Sequence, residues 1–104
     1  MDTITAKDLK AMRRHAGEAA TMMAALSHEA RLRVLCDLVV GERTAGELVE
    51  RSGLSQSAMS QHLARLREEG LVATRREGVS IYYSIVNPDA ARILAVLHDI
   101  YCKR

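Results

Sequence analysis

Apolar residues near the two ends of the chain recur at helical spacing. Between about residue 6 and residue 25 they lie three or four positions apart, which predicts one long amphipathic helix. A second such pattern follows Asn87 and Pro88 and continues to about Cys102, with Asn87 as a possible cap. Both helices carry more apolar surface than one small domain readily buries, so we expect them to form the interface of a homodimer.

Three shorter helices are predicted between these two. Ser27 is a suitable cap for a helix that passes through Cys36 and stops at Gly41. The next helix, from Ala45 to Arg51, opens on a capping box formed by Thr44 and Glu47. After Ser52 and Gly53, Ser55 caps a longer helix that runs through Glu69 and is terminated by Gly70. A short helix, a turn with glycine and a longer helix therefore follow one another directly.

The periodicity then changes to that of strands. Residues 71–76 and 80–85 are rich in strand formers, and residues 77–79 supply a turn, which predicts a β-hairpin. The complete order is four helices, two strands and a final helix. We therefore predict a mainly α-helical winged helix-turn-helix, with the hairpin as its wing, in one domain spanning residues 1–104.

The predicted fourth helix presents short polar side chains at its N-terminal end. A recognition helix places this end in the major groove, where glutamine can read adenine and serine can contact bases or phosphates. The net charge of +2 does not by itself predict nucleic-acid binding, although 12 of the 15 basic residues are arginine. We expect contacts with a double-stranded, two-fold-symmetric operator from Gln56, Ser57, Ser60, Gln61, His62, Arg65 and Arg67, and from Arg75 and Arg76 of the wing.

No run of apolar residues is long enough for a membrane span, and the N-terminal segment is not of signal-peptide type. We therefore expect a cytoplasmic protein that does not interact with membranes. Cysteines in that compartment are reduced by default, so the two present, Cys36 and Cys102, are either inert or chemically active. Cys36 lies among apolar residues, and taken alone it favours inert packing.

Three segments of the sequence resemble the ArsR/SmtB family of bacterial repressors. They are Leu26-Ser27-His28-Glu29-Ala30-Arg31-Leu32, then Leu54-Ser55-Gln56-Ser57-Ala58-Met59-Ser60-Gln61-His62-Leu63, and Leu66-Arg67-Glu68-Glu69-Gly70-Leu71-Val72. The resemblance covers nearly the whole chain. It implies a dimeric winged-helix fold and repression that an inducer releases.

The two metal sites known in that family are not intact here. The Cys-x-Cys pair near the helix-turn-helix is absent from Ala45-Gly46-Glu47-Leu48-Val49-Glu50. The zinc site of the last helix lacks its first histidine at Asp89-Ala90-Ala91, and only His98 remains. We therefore predict neither a metal site nor a cofactor.

What remains is one cysteine in the second helix and one at the end of the last. This arrangement is similar to the sulfide-responsive branch of the family, the biofilm-associated and sulfide:quinone-oxidoreductase repressors. The resemblance implies a sensor of persulfides, polysulfides or related oxidants, in which one thiolate attacks sulfane sulfur and the second thiol resolves the product. His98, four positions before Cys102, is a possible activator of its thiol.

Three other interpretations remain open at this stage. Cys36, Cys102 and His98 could together hold a metal or metalloid. The thiols could form the peroxidatic and resolving pair of a redox enzyme, but the sequence has no C-x-x-C and no further catalytic constellation, so we do not expect an enzyme. The third interpretation is a constitutive regulator with inert thiols.

Overall fold

The computed structural model describes residues 3–102 and has the predicted winged helix-turn-helix architecture. Its elements are α1 (Ala6–Leu26), α2 (Glu29–Val40), β1 (Arg43–Thr44), α3 (Ala45–Ser52), α4 (Gln56–Glu68), β2 (Val72–Glu77), β3 (Ser80–Ile85) and α5 (Pro88–Cys102). The predicted mainly α-helical fold class with a hairpin wing is confirmed.

The core is aliphatic and lies where α2, α3, α4 and the hairpin meet. Its most deeply buried large side chains are Val34, Leu35, Leu48, Met59, Leu63, Leu66 and Leu71. With no Trp or Phe in the chain, burial of leucine-sized side chains supplies most of the hydrophobic stabilisation. Every element of the helix-turn-helix contributes to this cluster, so the position of α4 is fixed by packing.

Side-chain caps determine where the helices of this core begin. The capping box predicted for α3 is present, since Thr44 Oγ1 accepts from Glu47 N at 3.1 Å and Glu47 Oε1 accepts from Thr44 N at 3.0 Å. Ser55 caps α4 as predicted, accepting from Ala58 N at 3.1 Å. These caps satisfy backbone N–H groups that have no partner within the helix.

The predicted cap of α2 was wrong by one residue. His28 caps this helix through Nδ1, which accepts from Ala30 N at 3.1 Å. Ser27 instead ends α1, where its hydroxyl donates to the carbonyl of Ala24 at 2.9 Å. The helical conformation of α1 continues to Leu26, so Ser27 is used as a C-cap and the next polar side chain becomes the N-cap.

A third strand, β1, was not predicted. It has only two residues, and it pairs with β3 in an antiparallel sheet of order β1-β3-β2. The hairpin itself pairs Val72 with Ile85 through to Glu77 with Ser80. The turn is one residue shorter than predicted because Glu77 belongs to β2, and Gly78 begins the turn with φ of 61°.

The first helix packs against the rest of the protomer only at its end. Among the 21 residues of α1, Ala25 and Leu26 are the buried ones. There the buried guanidinium of Arg31 in α2 donates from Nε to the carbonyl of Ala25 at 3.0 Å and from Nη2 to that of Ala24 at 3.3 Å. These bonds attach α1 to α2 by satisfying carbonyls at the C-terminus of α1. Within residues 3–102, no helix is both long enough and apolar enough to cross a bilayer.

Candidate nucleic-acid interface and cysteine pair

The two faces of α4 differ sharply in exposure. Met59, Leu63 and Leu66 are each at most 1% exposed, and they anchor the inner face in the core. The outer face presents the predicted base-reading residues, Gln56, Ser57, Ser60 and Gln61, all of which are exposed. Since α4 begins at Gln56, these polar groups stand on its first two turns, the part of a recognition helix that meets base edges.

His62 differs from its polar neighbours on α4. Its ring is partly buried and packs against that of His28 at the start of α2, with ring centroids 4.8 Å apart and an interplanar angle of 54°. Burial lowers the pKa of His62, and the nearby His28 and Arg31 lower it further. The structure therefore places His62 at the junction between α2 and α4. Its predicted DNA contact stays a prediction.

The arginines at the end of α4 are exposed. Arg65 donates from Nε to Glu69 Oε1 at 3.1 Å, within a turn of the same helix. No ion pair engages Arg67 among residues 3–102, so its guanidinium is the freer of the two. Exposed pairs such as Arg65–Glu69 are weak, so Arg65 as well as Arg67 remains available to a phosphate.

The two wing arginines have different surroundings. Arg75 donates from Nε to both oxygens of Glu42 at 2.9 Å and from Nη1 to Glu77 Oε2 at 2.7 Å. The hydrogen bonds that Arg75 donates to these carboxylates raise its pKa. Arg76 is exposed and has no ion pair among the described residues. Sequence reasoning treated the two alike and missed Glu42, which lies 33 positions before Arg75 and carries no local signal.

Cys36 and Cys102 are both exposed free thiols. Burial, partial as it is, raises the pKa of Cys36, and the charges of Asp37 and Cys102 raise it further. Cys102 contributes to this shift in pKa although it lies 66 positions from Cys36 in the chain. The apolar surroundings suggested by the sequence do not hold for Cys36, because the buried stripe of α2 passes through Leu35 and Leu38 and leaves Cys36 outside it.

Cys36 is followed in the chain by a member of an ion pair that sequence reasoning missed. Asp37, the residue after Cys36, accepts from Arg51 Nη2 at 3.2 Å and so connects α2 to the end of α3. No local sequence signal indicates this contact, because its two residues lie 14 positions apart on different helices. His98 is exposed on α5, and its role as an activator of Cys102 stays a prediction. Within residues 3–102, no group of three or more His, Cys, Asp or Glu side chains is arranged to hold a metal ion.

Known proteins resemble this chain over most of its length. Residues 28–74, from the start of α2 to β2, match the family model described as the bacterial regulatory protein, arsR family. The transcriptional activator HlyU of Vibrio cholerae is 40% identical over 96 residues, covering 92% of this chain and 89% of HlyU. The chain belongs to the ArsR family. Members of this family are DNA-binding transcriptional regulators and not enzymes.

A second ArsR-family relative is the biofilm growth-associated repressor of Xylella fastidiosa. It is 41% identical over 91 residues, which cover 88% of this chain and 80% of the repressor. Solved structures agree with this relationship. Reduced HlyU from Vibrio cholerae has a TM-score of 0.84, covering 89% of this chain and 98% of that one at 40% identity. The repressor BigR from Xylella fastidiosa has the same TM-score and identity, covering 89% and 95%.

The comparisons confirm the resemblance to ArsR-family repressors and the winged-helix fold. One relative is named an activator and the other a repressor, so membership gives DNA-dependent regulation of transcription as the shared activity.

Proposed function

We propose that the protein is a homodimeric, cytoplasmic repressor that binds a two-fold-symmetric operator and leaves it when Cys36 and Cys102 are oxidised or bridged through sulfur. The observation that carries this proposal is that the two cysteines, one on α2 and one on α5, are both free and exposed, and that Cys102 acts electrostatically on Cys36. The first of these helices, α2, is joined to the helix-turn-helix by the Asp37–Arg51 ion pair. The second, α5, carries exposed apolar side chains near the end of the chain. A covalent bridge between α2 and α5 therefore changes how these helices pack, and with them the relative position of the two recognition helices, α4, in the dimer.

Exposed apolar side chains support the homodimer. On α1, Leu9, Met12 and Met23 are about half exposed, at 48%, 59% and 55%. On α5, Val96, Ile100 and Tyr101 are exposed to a similar degree. Together they line two helices that leave much of their apolar surface to solvent in one protomer, which soluble monomers rarely do. Light scattering at micromolar concentration should give twice the protomer mass of 11.5 kDa, and a protomer-sized particle would contradict the dimer.

The sulfur chemistry is balanced with a persulfide as the oxidant. The Cys36 thiolate attacks the outer, sulfane sulfur of RS–SH, and the thiolate RS⁻ leaves, which gives a Cys36 persulfide. The Cys102 thiolate then attacks the Cys36 sulfur and expels HS⁻, which gives a disulfide. If a second RS–SH has first converted Cys102 to its own persulfide, attack by the outer sulfur of the Cys36 persulfide on Cys102 sulfur expels HS⁻ and leaves a trisulfide. A direct disulfide needs Cα atoms about 4.4–6.8 Å apart, whereas an added sulfur tolerates more separation.

Operator binding with and without a persulfide tests this function. The reduced protein first selects its operator from a library of random duplexes. Fluorescence anisotropy then measures the affinity before and after glutathione persulfide, and intact mass is measured on the same samples. We expect release from the operator together with a bridged protomer. Its mass should be lower by two hydrogens for a disulfide, with one or more sulfur atoms added for a longer bridge.

Single-cysteine variants provide the matched controls. Cys36→Ser and Cys102→Ser should bind the operator as the reduced protein does, because both side chains are exposed, and should not be released by the persulfide. Normal release of either variant would contradict the dithiol mechanism. Retained zinc or arsenite in the intact mass, with the thiols unoxidised, would favour the metal-sensing alternative with Cys36, Cys102 and His98 as ligands.

A further inference from the structure

Arg75 in the wing is held by carboxylates on two different segments of the chain. We propose that Arg75 is a positioning residue that fixes the wing to the end of α2 by way of Glu42, and that Arg76 is the wing residue that contacts DNA phosphate. This inference rests on operator binding, the first half of the proposed function, and not on the thiol chemistry.

Three groups surround the Arg75 guanidinium. Its Nε lies 2.9 Å from each oxygen of Glu42, its Nη2 also contacts Glu42, and its Nη1 lies 2.7 Å from Glu77. The guanidinium carbon stands 4.6 Å from the centre of the Tyr82 ring on the paired strand. Arginine is suited to this arrangement because its planar fork bonds carboxylates in two-point fashion and also stacks on aromatic rings.

The pleat of β2 separates Arg75 from Arg76. Successive side chains of a strand point to opposite faces, so Arg75 shares its face with Glu77 and with its cross-strand partner Tyr82, whereas Arg76 lies on the other face opposite Ile81. Only Arg76 presents an unengaged cation among the described residues of the wing. The two arginines therefore point to opposite faces of the wing, and we assign them different roles.

Charge opposes a transfer of Arg75 to DNA. Glu42, Glu77 and Arg75 together carry one net negative charge. If Arg75 moved to a phosphate, two carboxylates would remain beside each other and close to the DNA backbone with no cation between them. Like charges at such distances repel, so the arginine gains little by exchanging two carboxylates for one phosphate.

The position of Glu42 in the chain links the wing to α2. Glu42 follows Gly41, the C-cap of α2, and so lies just beyond the helix that carries Cys36. The Arg75–Glu42 pair joins the end of α2 to the wing across 33 positions of sequence. A shift at the end of α2 is therefore transmitted to the wing through this pair, in addition to the packing of the hairpin against α2 and α4.

Five variants of the reduced protein test this assignment on the selected operator across a series of salt concentrations. Arg75→Ala and Glu42→Ala should each weaken binding by about fivefold, and the double variant by no more than either. Their slope of log K against log salt should match that of the wild type. Arg76→Ala, the matched control, should weaken binding and make the slope shallower by about 0.9 for each phosphate that the protein no longer neutralises. Arg75→Lys keeps the charge without the fork and should behave like Arg75→Ala.

The opposite pattern would overturn the assignment. If Arg75 contacts phosphate, Arg75→Ala makes the slope shallower, Arg75→Lys retains most of the affinity, and Glu42→Ala tightens binding by freeing the arginine. Unchanged affinity in both Arg75→Ala and Glu42→Ala would equally refute it. If thermal unfolding shows that Arg75→Ala is not folded, Glu42→Ala still separates the two roles of Arg75. It weakens operator binding if Arg75 positions the wing and tightens it if Arg75 contacts phosphate. A wild-type protein that selects no duplex would instead refute operator binding itself.

Discussion

The two faces of α4 should be separable by mutation, one governing stability and the other operator affinity. Leu63 is 1% exposed on the inner face, and Leu63→Ala removes its buried methyl groups and leaves a cavity in the core. Substitutions of this kind cost about 2–5 kcal/mol of the free energy of unfolding. For a domain with about 5–15 kcal/mol in total, this is a large share.

Urea unfolding followed by circular dichroism measures the cost. With a urea m-value of about 1.5 kcal/mol per molar, a loss of about 3 kcal/mol lowers the midpoint by about 2 M. All samples need the same protomer concentration, because the stability of a dimer depends on it. Gln61→Ala, two positions away on the exposed face, should leave the free energy of unfolding within about 0.5 kcal/mol of the wild-type value.

Operator affinity should follow the reverse order. We expect Gln61→Ala to weaken operator binding by about 1–3 kcal/mol, or about five- to 150-fold, at each half-site, which is the cost of losing the proposed two-point contact with a base. Leu63→Ala, measured in conditions where it remains folded, should bind with little change. Equal destabilisation by Gln61→Ala and Leu63→Ala would show that the two faces do not have separate roles. An unchanged affinity for Gln61→Ala together with a lost affinity for Leu63→Ala would show the same.

Three further predictions concern a helix cap, a buried arginine and the thiol of Cys36. Thr44→Ala removes the cap of α3 and should lower the free energy of unfolding by about 1 kcal/mol in urea, whereas an unchanged midpoint would mean that the capping box contributes nothing. Arg31→Met leaves the carbonyls of Ala24 and Ala25 without these donors and should cost about 1–3 kcal/mol in the same assay; a more stable variant would show that the buried cation is a net burden. Asp37→Asn removes a charge that raises the pKa of Cys36, so iodoacetamide should alkylate Cys36 faster at neutral pH in a Cys102→Ser background, whereas Arg51→Gln, which breaks the same ion pair but keeps the carboxylate, should not accelerate it.

Local signals were sufficient to predict most of the fold. The capping box at Thr44, the cap at Ser55 and the glycines after the helices each act within a few residues, so their effects can be read directly from the sequence. The cap of α2 was less determined, because Ser27 and His28 are adjacent polar residues and the actual end of α1 decides between them. The strand β1 has two residues, too few for any alternation to appear, and depends on pairing with β3.

The candidate site was predictable where one helix defines it and less so where distant segments meet. Gln56 and Gln61 stand on the predicted exposed face of α4 because its apolar stripe fixes the opposite one. The partners of Arg75 and Asp37 could not be predicted, since Glu42 and Arg51 reach them only through tertiary packing. The exposure of Cys36 likewise depends on which side of α2 faces the core, and an apolar neighbourhood in sequence did not determine it.

In the proposed function, the protein leaves the operator once a sulfur bridge joins the two cysteines of one protomer. The most direct measurement titrates glutathione persulfide into the operator complex and determines, on each sample, the fraction of bridged protomer by intact mass and the fraction of DNA still bound. We expect DNA release to rise in step with the Cys36–Cys102 bridge, and a thiol reductant to reverse both. Release while both thiols remain reduced, or bridged protein that stays on the operator with undiminished affinity, would contradict the proposed function.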